Sequence, residues 1–177
     1  MGMNPKVYLA ADLLAKTIVQ KPTRDGYGEG VVEAGTRDPN IVVCCADLTE
    51  STCSLAFKKA FPERFVQFGV SEQSLAAIAA GMALAGKVPF ISSYAMFSPG
   101  RNWEMIRTNI ALNNVNVKIM GAHAGVSVGP DGATHQAVED MAIMRVIPRM
   151  TVVAPCDAHE AKKATLAAAA FAGPVYV

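Results

Sequence analysis

The sequence lacks the features that mark membrane proteins and nucleic-acid-binding proteins. Although 51% of its 177 residues are hydrophobic, no apolar stretch approaches the roughly 18 uninterrupted residues that a membrane-spanning helix requires. The formal net charge is only +1, and charges of both signs are scattered along the chain instead of forming a basic stripe. We therefore expect neither a membrane nor a nucleic acid as a partner, and we assign the apolar excess to a core and to interfaces.

Motifs that would indicate a metal, a nucleotide or a secretory route are also missing. The four cysteines form no CxxC pair and have no histidine at zinc-ligand spacing, which predicts buried free thiols and no metal site. The chain has no GxxxxGK[ST], and no GxGxxG follows a predicted strand. Its first residues lack the charged start, long apolar core and cleavage site of a signal peptide. These absences favour a protein of the reducing cytoplasm.

The chain does contain a regular alternation of strand and helix patterns. Short apolar, β-branched runs predict strands at residues 41–45, 65–68, 88–93, 117–120, 151–153 and 175–177, and helical patterns cover residues 7–19, 30–36, 99–112, 137–144, 158–171 and the segment from Ser71. KPTRDGYGEG, which contains Arg24, is predicted to be a polar loop. Such alternation predicts an α/β fold of three layers, a mostly parallel sheet with helices on both faces.

Glu72 follows one of these strands, at the start of an alanine-rich helix that Ser71 is placed to cap. Acidic residues are common in the first turn of a helix because they complement its dipole, so the position alone requires no function. In parallel sheets, however, ligands bind beyond the carboxyl ends of strands, and polar clusters also follow strands at residues 47–51, 94–101 and 121–135. The alanine-rich helix that follows Glu72 has little side-chain bulk on any face, which predicts packing on several sides, against the sheet and against another subunit.

The loop GAHAGVSVGPDGATHQ, residues 121–136, is unusually rich in groups that bind ligands. His123 and His135 lie twelve positions apart, with Asp131 between them. Each is compatible with a purely structural role, since a histidine can be satisfied inside a fold and Asp131-Gly132 is an ordinary turn pair. Together, beyond one strand end, they offer donors and acceptors suited to a hydroxyl-rich ligand.

Aromatic and basic side chains provide two further candidate contacts. Tyr94, Phe97 and Trp103 lie in one loop-to-helix segment, where they either belong to the core or form a slot for a flat heterocycle. Arg24 and Ser51 are suited to binding an anion, although a solvated arginine is the ordinary case.

Taken in order, these segments resemble the pyrimidine-binding domain of transketolase-like, thiamine diphosphate-dependent enzymes. The resemblance covers residues 24–177 and rests on ADLTEST (46–52), FGVSEQ (68–73), GPDGATHQAVED (129–140) and TVVAPCDAHEA (151–161). It implies one such domain from residue 24 onward, preceded by a lead-in helix and loop in residues 1–23. We expect the natural protein to continue into a C-terminal domain that is absent from this chain.

The resemblance implies cofactor contacts for four side chains. Glu72 matches the glutamate that hydrogen-bonds N1′ of the aminopyrimidine and promotes the imino tautomer that removes the thiazolium C2 proton. Phe97 and Trp103 match aromatic residues that stack on the pyrimidine, and Asp47 lies where the family has a cofactor-side aspartate. Gly100 stands where transketolases often have a third aromatic residue, which predicts a roomier slot.

The resemblance also implies contacts with a phosphorylated sugar. His123 and His135 match the pair that handles substrate hydroxyls and proton transfers near the reacting carbon. Asp131 matches the aspartate that binds the hydroxyl next to the ketose carbonyl. Arg24 and Ser51 match the pair that binds the sugar phosphate.

One part of the family pattern is missing from this sequence. The family holds the diphosphate and its Mg2+ with a Gly-Asp-Gly followed by Asn-Asn in a separate domain; Asn113-Asn114 is present here, but no GDG precedes it. We therefore expect a separate diphosphate-binding subunit to complete the cofactor and metal site, and homo-oligomers to form through the present domain.

The resemblance leaves three functional alternatives open. The first is two-carbon ketol transfer between phosphorylated sugars, as in the pentose phosphate pathway. A 1-deoxy-D-xylulose-5-phosphate synthase-like enzyme is a close alternative because it shares the glutamate-glutamine pair and a THQ-like loop, whereas a pyruvate dehydrogenase-type beta subunit is not expected to carry DGATHQ. The third is a non-catalytic assembly domain, against which the joint presence of Glu72, His123, Asp131 and His135 argues.

Overall fold

A computed structural model describes residue 15 and residues 17–177 of the chain. Residues 7–14 and 16 of the predicted lead-in helix at residues 7–19 lie outside the described residues, and residues 17–19 form a turn and irregular structure. Within the described part, no helix combines the length and the apolar character needed to cross a bilayer.

A six-stranded parallel sheet forms the middle layer of the described fold. Its strands are β1 (Ile41–Cys45), β2 (Phe65–Gln67), β3 (Val88–Tyr94), β4 (Lys118–Ala122), β5 (Thr151–Val152) and β6 (Val175–Tyr176), in the order β2-β1-β3-β4-β6-β5. The chain leaves β1 toward β2 on one side, whereas β3 continues to β4 on the other. This reversal makes the carboxyl ends of β1 and β3 the switch point of the sheet, which is where parallel sheets bind ligands.

Helices cover both faces of the sheet. One face carries α1 (Thr23–Arg37), α2 (Leu55–Ala60) and α6 (Ala158–Ala170), and the other carries α3 (Glu72–Leu84), α4 (Trp103–Met105), its π-helical continuation Ile106–Ala111, and α5 (Asp140–Arg145). Two 3-10 turns, Pro62–Arg64 and Gly132–His135, complete the described elements. The prediction of a three-layer α/β fold is confirmed.

Several predicted boundaries are wrong in informative ways. KPTRDGYGEG is not a loop, because α1 begins at Thr23 and runs without a break through the segment predicted as a helix at 30–36. The helix predicted at 99–112 begins only at Trp103, since turns occupy residues 95–102. The helix predicted at 137–144 begins at Asp140, and α2 was not predicted from the sequence.

The four cysteines are free but differ in exposure. Cys44 and Cys45 are buried in β1, as predicted, and burial raises the pKa of Cys44 to about 12. Cys53 is half-buried, and Cys156 is exposed. The prediction of a buried thiol is therefore wrong for Cys156, which lies in the connection immediately before Asp157, the N-cap of α6.

Lys118, at the first position of β4, is a fully buried cation. Its Nζ donates to Phe171 O and Gly173 O, both at 2.7 Å, and to Asn116 Oδ1. These three acceptors tie the start of β4 to the connection between α6 and β6. Burial lowers the pKa of Lys118 from 10.5 to about 8, so the amino group is charged at neutral pH.

We expect Lys118→Met to lower the free energy of unfolding by about 2 kcal/mol at neutral pH, because three acceptors, of which the Gly173 carbonyl is buried, lose their donor. Between about pH 8 and 10.5 the unfolded chain binds more protons at Lys118 than the folded chain does, so the stability of the wild type should rise with pH by up to ~1.4 kcal/mol per unit. Denaturant unfolding at several pH values checks both effects. Equal pH dependence in wild type and variant would contradict the second.

Candidate active site

Glu72 is the first residue of α3 and lies near the carboxyl end of β3. Its side chain is only 2% exposed. Ser93 Oγ, near the end of β3, donates to Oε1 at 3.2 Å, whereas Oε2 is buried and has no hydrogen-bond partner within the described structure. Arg101 Nη1 lies 3.8 Å from Oε2, too far for a hydrogen bond. A buried carboxylate oxygen is therefore left available to a donor that the described residues do not supply.

Asn102, which the sequence did not single out, fixes the position of Glu72. Its Nδ2 donates to the carbonyl oxygen of Glu72 at 2.9 Å and to Ser98 Oγ at 3.1 Å. Asn102 is 1% exposed, and its Oδ1 is a second buried atom without a partner among the described residues. A bond from a side-chain amide to a backbone carbonyl has no sequence pattern, so only the structure could identify Asn102.

Two aromatic rings and two imidazoles form what we call the aromatic cluster: Tyr94, Phe97, His123 and His135. The rings of Tyr94 and Phe97 are nearly parallel, with centroids 6.3 Å apart. His123 meets Tyr94 edge-on at 4.4 Å, and His135 meets Phe97 edge-on at 5.1 Å. The structure thus brings both predicted histidines to the segment that carries Phe97 and Tyr94, and the Tyr94 ring contacts both of them.

Trp103 lies apart from the aromatic cluster. Its Nε1 donates to the carbonyl oxygen of Ile143 in α5 at 2.7 Å, and its ring packs against the hydrophobic core on the α3 side of the sheet. The indole therefore links α4 to α5. Its predicted contact with a cofactor stays a prediction.

Arg24, Ser51 and His123 meet at one carbonyl group. Arg24 Nη1 donates to Ser51 O at 3.3 Å, and His123 Nε2 contacts the same oxygen at 3.1 Å. Because a carbonyl oxygen only accepts, His123 carries a proton on Nε2 in this contact. The Ser51 hydroxyl donates instead to Leu48 O at 3.3 Å. The predicted pair is adjacent, but Arg24 belongs to the first turn of α1 and not to a loop.

An open cavity of about 890 Å3 lies beyond the carboxyl ends of β4 and β6, with Arg24 and His123 on its wall. Ser127, in the same wall, is the centre of a GxSxG pattern at residues 125–129 that was not among the predicted site motifs. Ser127 is exposed in a turn and no helix begins there, so the pattern does not form the strained strand-to-helix turn of serine hydrolases.

The two predicted aspartates lie at the exposed margin of the site. Asp47 has a positive φ of 61°, and its Oδ1 accepts from Gln67 Nε2 at 3.2 Å. Asp131 is the exposed N-cap of the 3-10 turn Gly132–His135. Their predicted roles toward cofactor and substrate stay predictions.

The hydrogen-bond acceptors and aromatic rings of the site fit one half of a cofactor site. Glu72 Oε2 and Asn102 Oδ1 are buried acceptors to which no described residue donates, and half-buried Phe97 and Tyr94 offer ring faces and edges, which suits a flat heterocycle bearing N–H groups. Among the described residues, no group of three or more His, Cys, Asp or Glu side chains is arranged to hold a metal ion.

The described residues form a three-layer parallel α/β domain with a buried carboxylate near the point where the strand order of the sheet reverses, which is where such domains bind ligands. The family described as transketolase, pyrimidine binding domain matches residues 20–177. The chain therefore belongs to the transketolase family, through its pyrimidine-binding domain.

Three relatives illustrate the match. A putative transketolase C-terminal section of Methanocaldococcus jannaschii is 50% identical over 159 residues, which are 90% of this chain and 50% of that protein. An apulose-4-phosphate transketolase subunit of Phocaeicola vulgatus is 35% identical over 154 residues, 87% of this chain and 49% of that one. A solved split gene transketolase, an inactive beta4 tetramer, superimposes with a TM-score of 0.79 at 47% identity over 89% of this chain and 51% of that chain. The chain spans about half the length of these relatives.

Proposed function

We propose that this chain is the subunit of a thiamine diphosphate-dependent transketolase that binds and activates the aminopyrimidine, and that a separate diphosphate-binding subunit completes the site. The observation that supports it is Glu72 Oε2, a buried carboxylate oxygen without a donor. When bound, thiamine diphosphate supplies the nucleophilic carbon that takes up the two-carbon unit. The related split transketolases support a two-subunit arrangement.

In this proposal the residues of the chain divide into two groups. Glu72 accepts or shares a ring proton at Oε2, with Ser93 holding Oε1 in place, and Phe97 packs against the ring. Trp103 and Asp47 are proposed to support the cofactor from the edge of the site. Oε2 lies in a buried environment from which water is excluded, which strengthens its interaction with a donor.

The second group faces the substrate. We propose that Arg24, beside Ser51, binds the phosphate of a sugar phosphate, and that His123, His135 and Asp131 bind its hydroxyls. The support is that Arg24 and His123 share one carbonyl acceptor and both line the cavity. The Ser51 hydroxyl donates its single proton to Leu48 O, so it has to leave that acceptor before it can donate to a phosphate.

The partner arrangement is proposed on sequence and surface grounds. We place the diphosphate and Mg2+ on the other subunit because this sequence has no Gly-Asp-Gly followed by Asn-Asn. Contacts between copies of the domain are proposed through α3, where Ile78 is 47% and Leu84 is 72% exposed although the opposite side of the helix is buried. The buried free thiols of β1 support a reducing, cytoplasmic environment.

Product analysis of the chain reconstituted with its diphosphate-binding subunit tests the function. Ribose 5-phosphate with a ketose phosphate donor is expected to give two-carbon transfer products. Pyruvate with glyceraldehyde 3-phosphate is expected to give none. The opposite pattern would establish the deoxyxylulose-phosphate synthase alternative, and no product from either pair would favour a non-catalytic assembly domain.

We expect the 177-residue chain alone to show no measurable turnover and only weak binding of thiamine diphosphate, because it holds one half of the cofactor. Calorimetric titration with and without Mg2+ measures this directly. Tight, magnesium-dependent binding to the isolated chain would contradict the half-site arrangement.

A further inference from the structure

Arg101 is the one charged side chain within ion-pair distance of Glu72 among the described residues. Its Nη1 lies 3.8 Å from Oε2, and its side chain is 57% exposed, compared with 2% for Glu72. The guanidinium therefore stands at the solvent side of the buried carboxylate and makes no hydrogen bond to it. It provides opposite charge to Oε2 but leaves the hydrogen-bonding capacity of that oxygen unused.

The backbone at Arg101 is fixed although its side chain is exposed. The amide N–H of Arg101 donates to Phe97 O at 2.9 Å. The next residue, Asn102, donates to the carbonyl oxygen of Glu72. The orientation of this amide is unambiguous because a carbonyl oxygen requires the NH2 group as its donor. The turn before α4 is thus tied to the first residue of α3, with the long Arg101 side chain at the opening.

This arrangement suits a replaceable counter-ion. A buried ionised carboxylate without compensation is costly, so a nearby guanidinium stabilises the chain while the site holds no ligand. A ring N–H that reaches Oε2 supplies the hydrogen bond that Arg101 does not make. We propose that Arg101 is the counter-ion of Glu72 in the cofactor-free chain and gives up this place to the cofactor ring, a positioning role that rests on the proposed function.

A double-mutant cycle on the chain alone tests the ion pair. Arg101→Met should lower the melting temperature at neutral pH by about 2–4 °C in the wild-type background and by less than about 1 °C in the Glu72→Gln background. Arg107→Met is the matched control, because Arg107 is exposed and forms no ion pair in the described structure. Equal shifts for Arg101→Met in both backgrounds would overturn the counter-ion role.

Cofactor affinity tests the exchange. In the reconstituted complex, Arg101→Met should lower the dissociation constant of thiamine diphosphate with Mg2+ by about 2- to 5-fold, since no counter-ion has to leave, and Arg101→Lys should resemble the wild type. If Arg101 only supported the fold, Arg101→Met would weaken the binding of thiamine diphosphate. Unchanged or weaker binding in Arg101→Met overturns the exchange. If the wild-type complex binds no thiamine diphosphate, the exchange fails together with the proposed function, while the thermal cycle still decides the ion pair.

Discussion

Replacing Glu72 by glutamine is expected to lower the turnover of the reconstituted complex by about 10³-fold or more without unfolding the chain. Glutamine has the same shape and keeps a carbonyl oxygen that can accept the 3.2 Å bond from Ser93. The bond from Asn102 is made to the backbone of residue 72, so it is retained as well. What the substitution removes is the ability of Oε2 to carry charge and share a proton.

Two measurements separate this chemical effect from a structural one. The melting temperature of Glu72→Gln should stay within about 3 °C of the wild type, and steady-state turnover should fall. Glu63→Gln is the matched control, because the Glu63 side chain is 71% exposed and distant in the sequence from the aromatic cluster. Normal activity of the Glu72→Gln complex would remove Glu72 from the mechanism.

The sheet could be predicted because its strands correspond to short apolar runs that fit a strand and are too short for a helix. Ile41–Cys45 is continuously apolar and begins with three β-branched residues, and the structure gives the strand the same bounds as the sequence pattern. A run of this kind is typical of a parallel strand buried on both faces. The strand ends then predicted which polar clusters lie near one another, since parallel strands end at one edge of the sheet.

The sequence could predict where the candidate residues lie along the fold, but it could not predict the bonds that they make. The sequence placed Glu72 at the start of α3, yet it could not show that Asn102 and Ser93 fix it. It grouped Trp103 with Phe97 by proximity in the chain, whereas the indole bonds to Ile143 across two helices. Side-chain direction and bonds to backbone carbonyls depend on tertiary packing, which local patterns do not record.

The start of α1 was missed because its glycines have the low helix propensity that usually indicates a loop. In the structure Gly26 faces α6 at the closest approach of the two helices, where a Cβ atom would lie 2.0 Å from Ala158 O. Gly30, one turn later, faces Thr165 and the Lys162 carbonyl, with a Cβ atom 2.9 Å from the Thr165 side chain. These residues are glycine for reasons of packing between helices, and no periodicity within α1 reveals that.

Gly26→Ala is therefore expected to destabilise the chain by about 3 kcal/mol, although alanine is the better helix former by about 1 kcal/mol. The new methyl group meets a backbone carbonyl and not the end of a flexible side chain, so the contact is relieved only by moving α1 away from α6. For a chain of this size the melting temperature should fall by about 6–12 °C.

Gly81→Ala is the matched control, because Gly81 lies in α3 and a Cβ atom there meets nothing within 4 Å. Within a single copy of the chain the substitution has no steric cost, so in the monomer it should raise the free energy of unfolding by about 0.5–1 kcal/mol through the loss of backbone freedom in the unfolded chain. If Gly26→Ala lowers the free energy of unfolding and Gly81→Ala raises it, the effect of packing between helices is separated from that of helix propensity. If Gly26→Ala is also stabilising, α1 and α6 do not approach as closely as described, and the first turn of α1, which carries Arg24, is free to shift relative to Ser51.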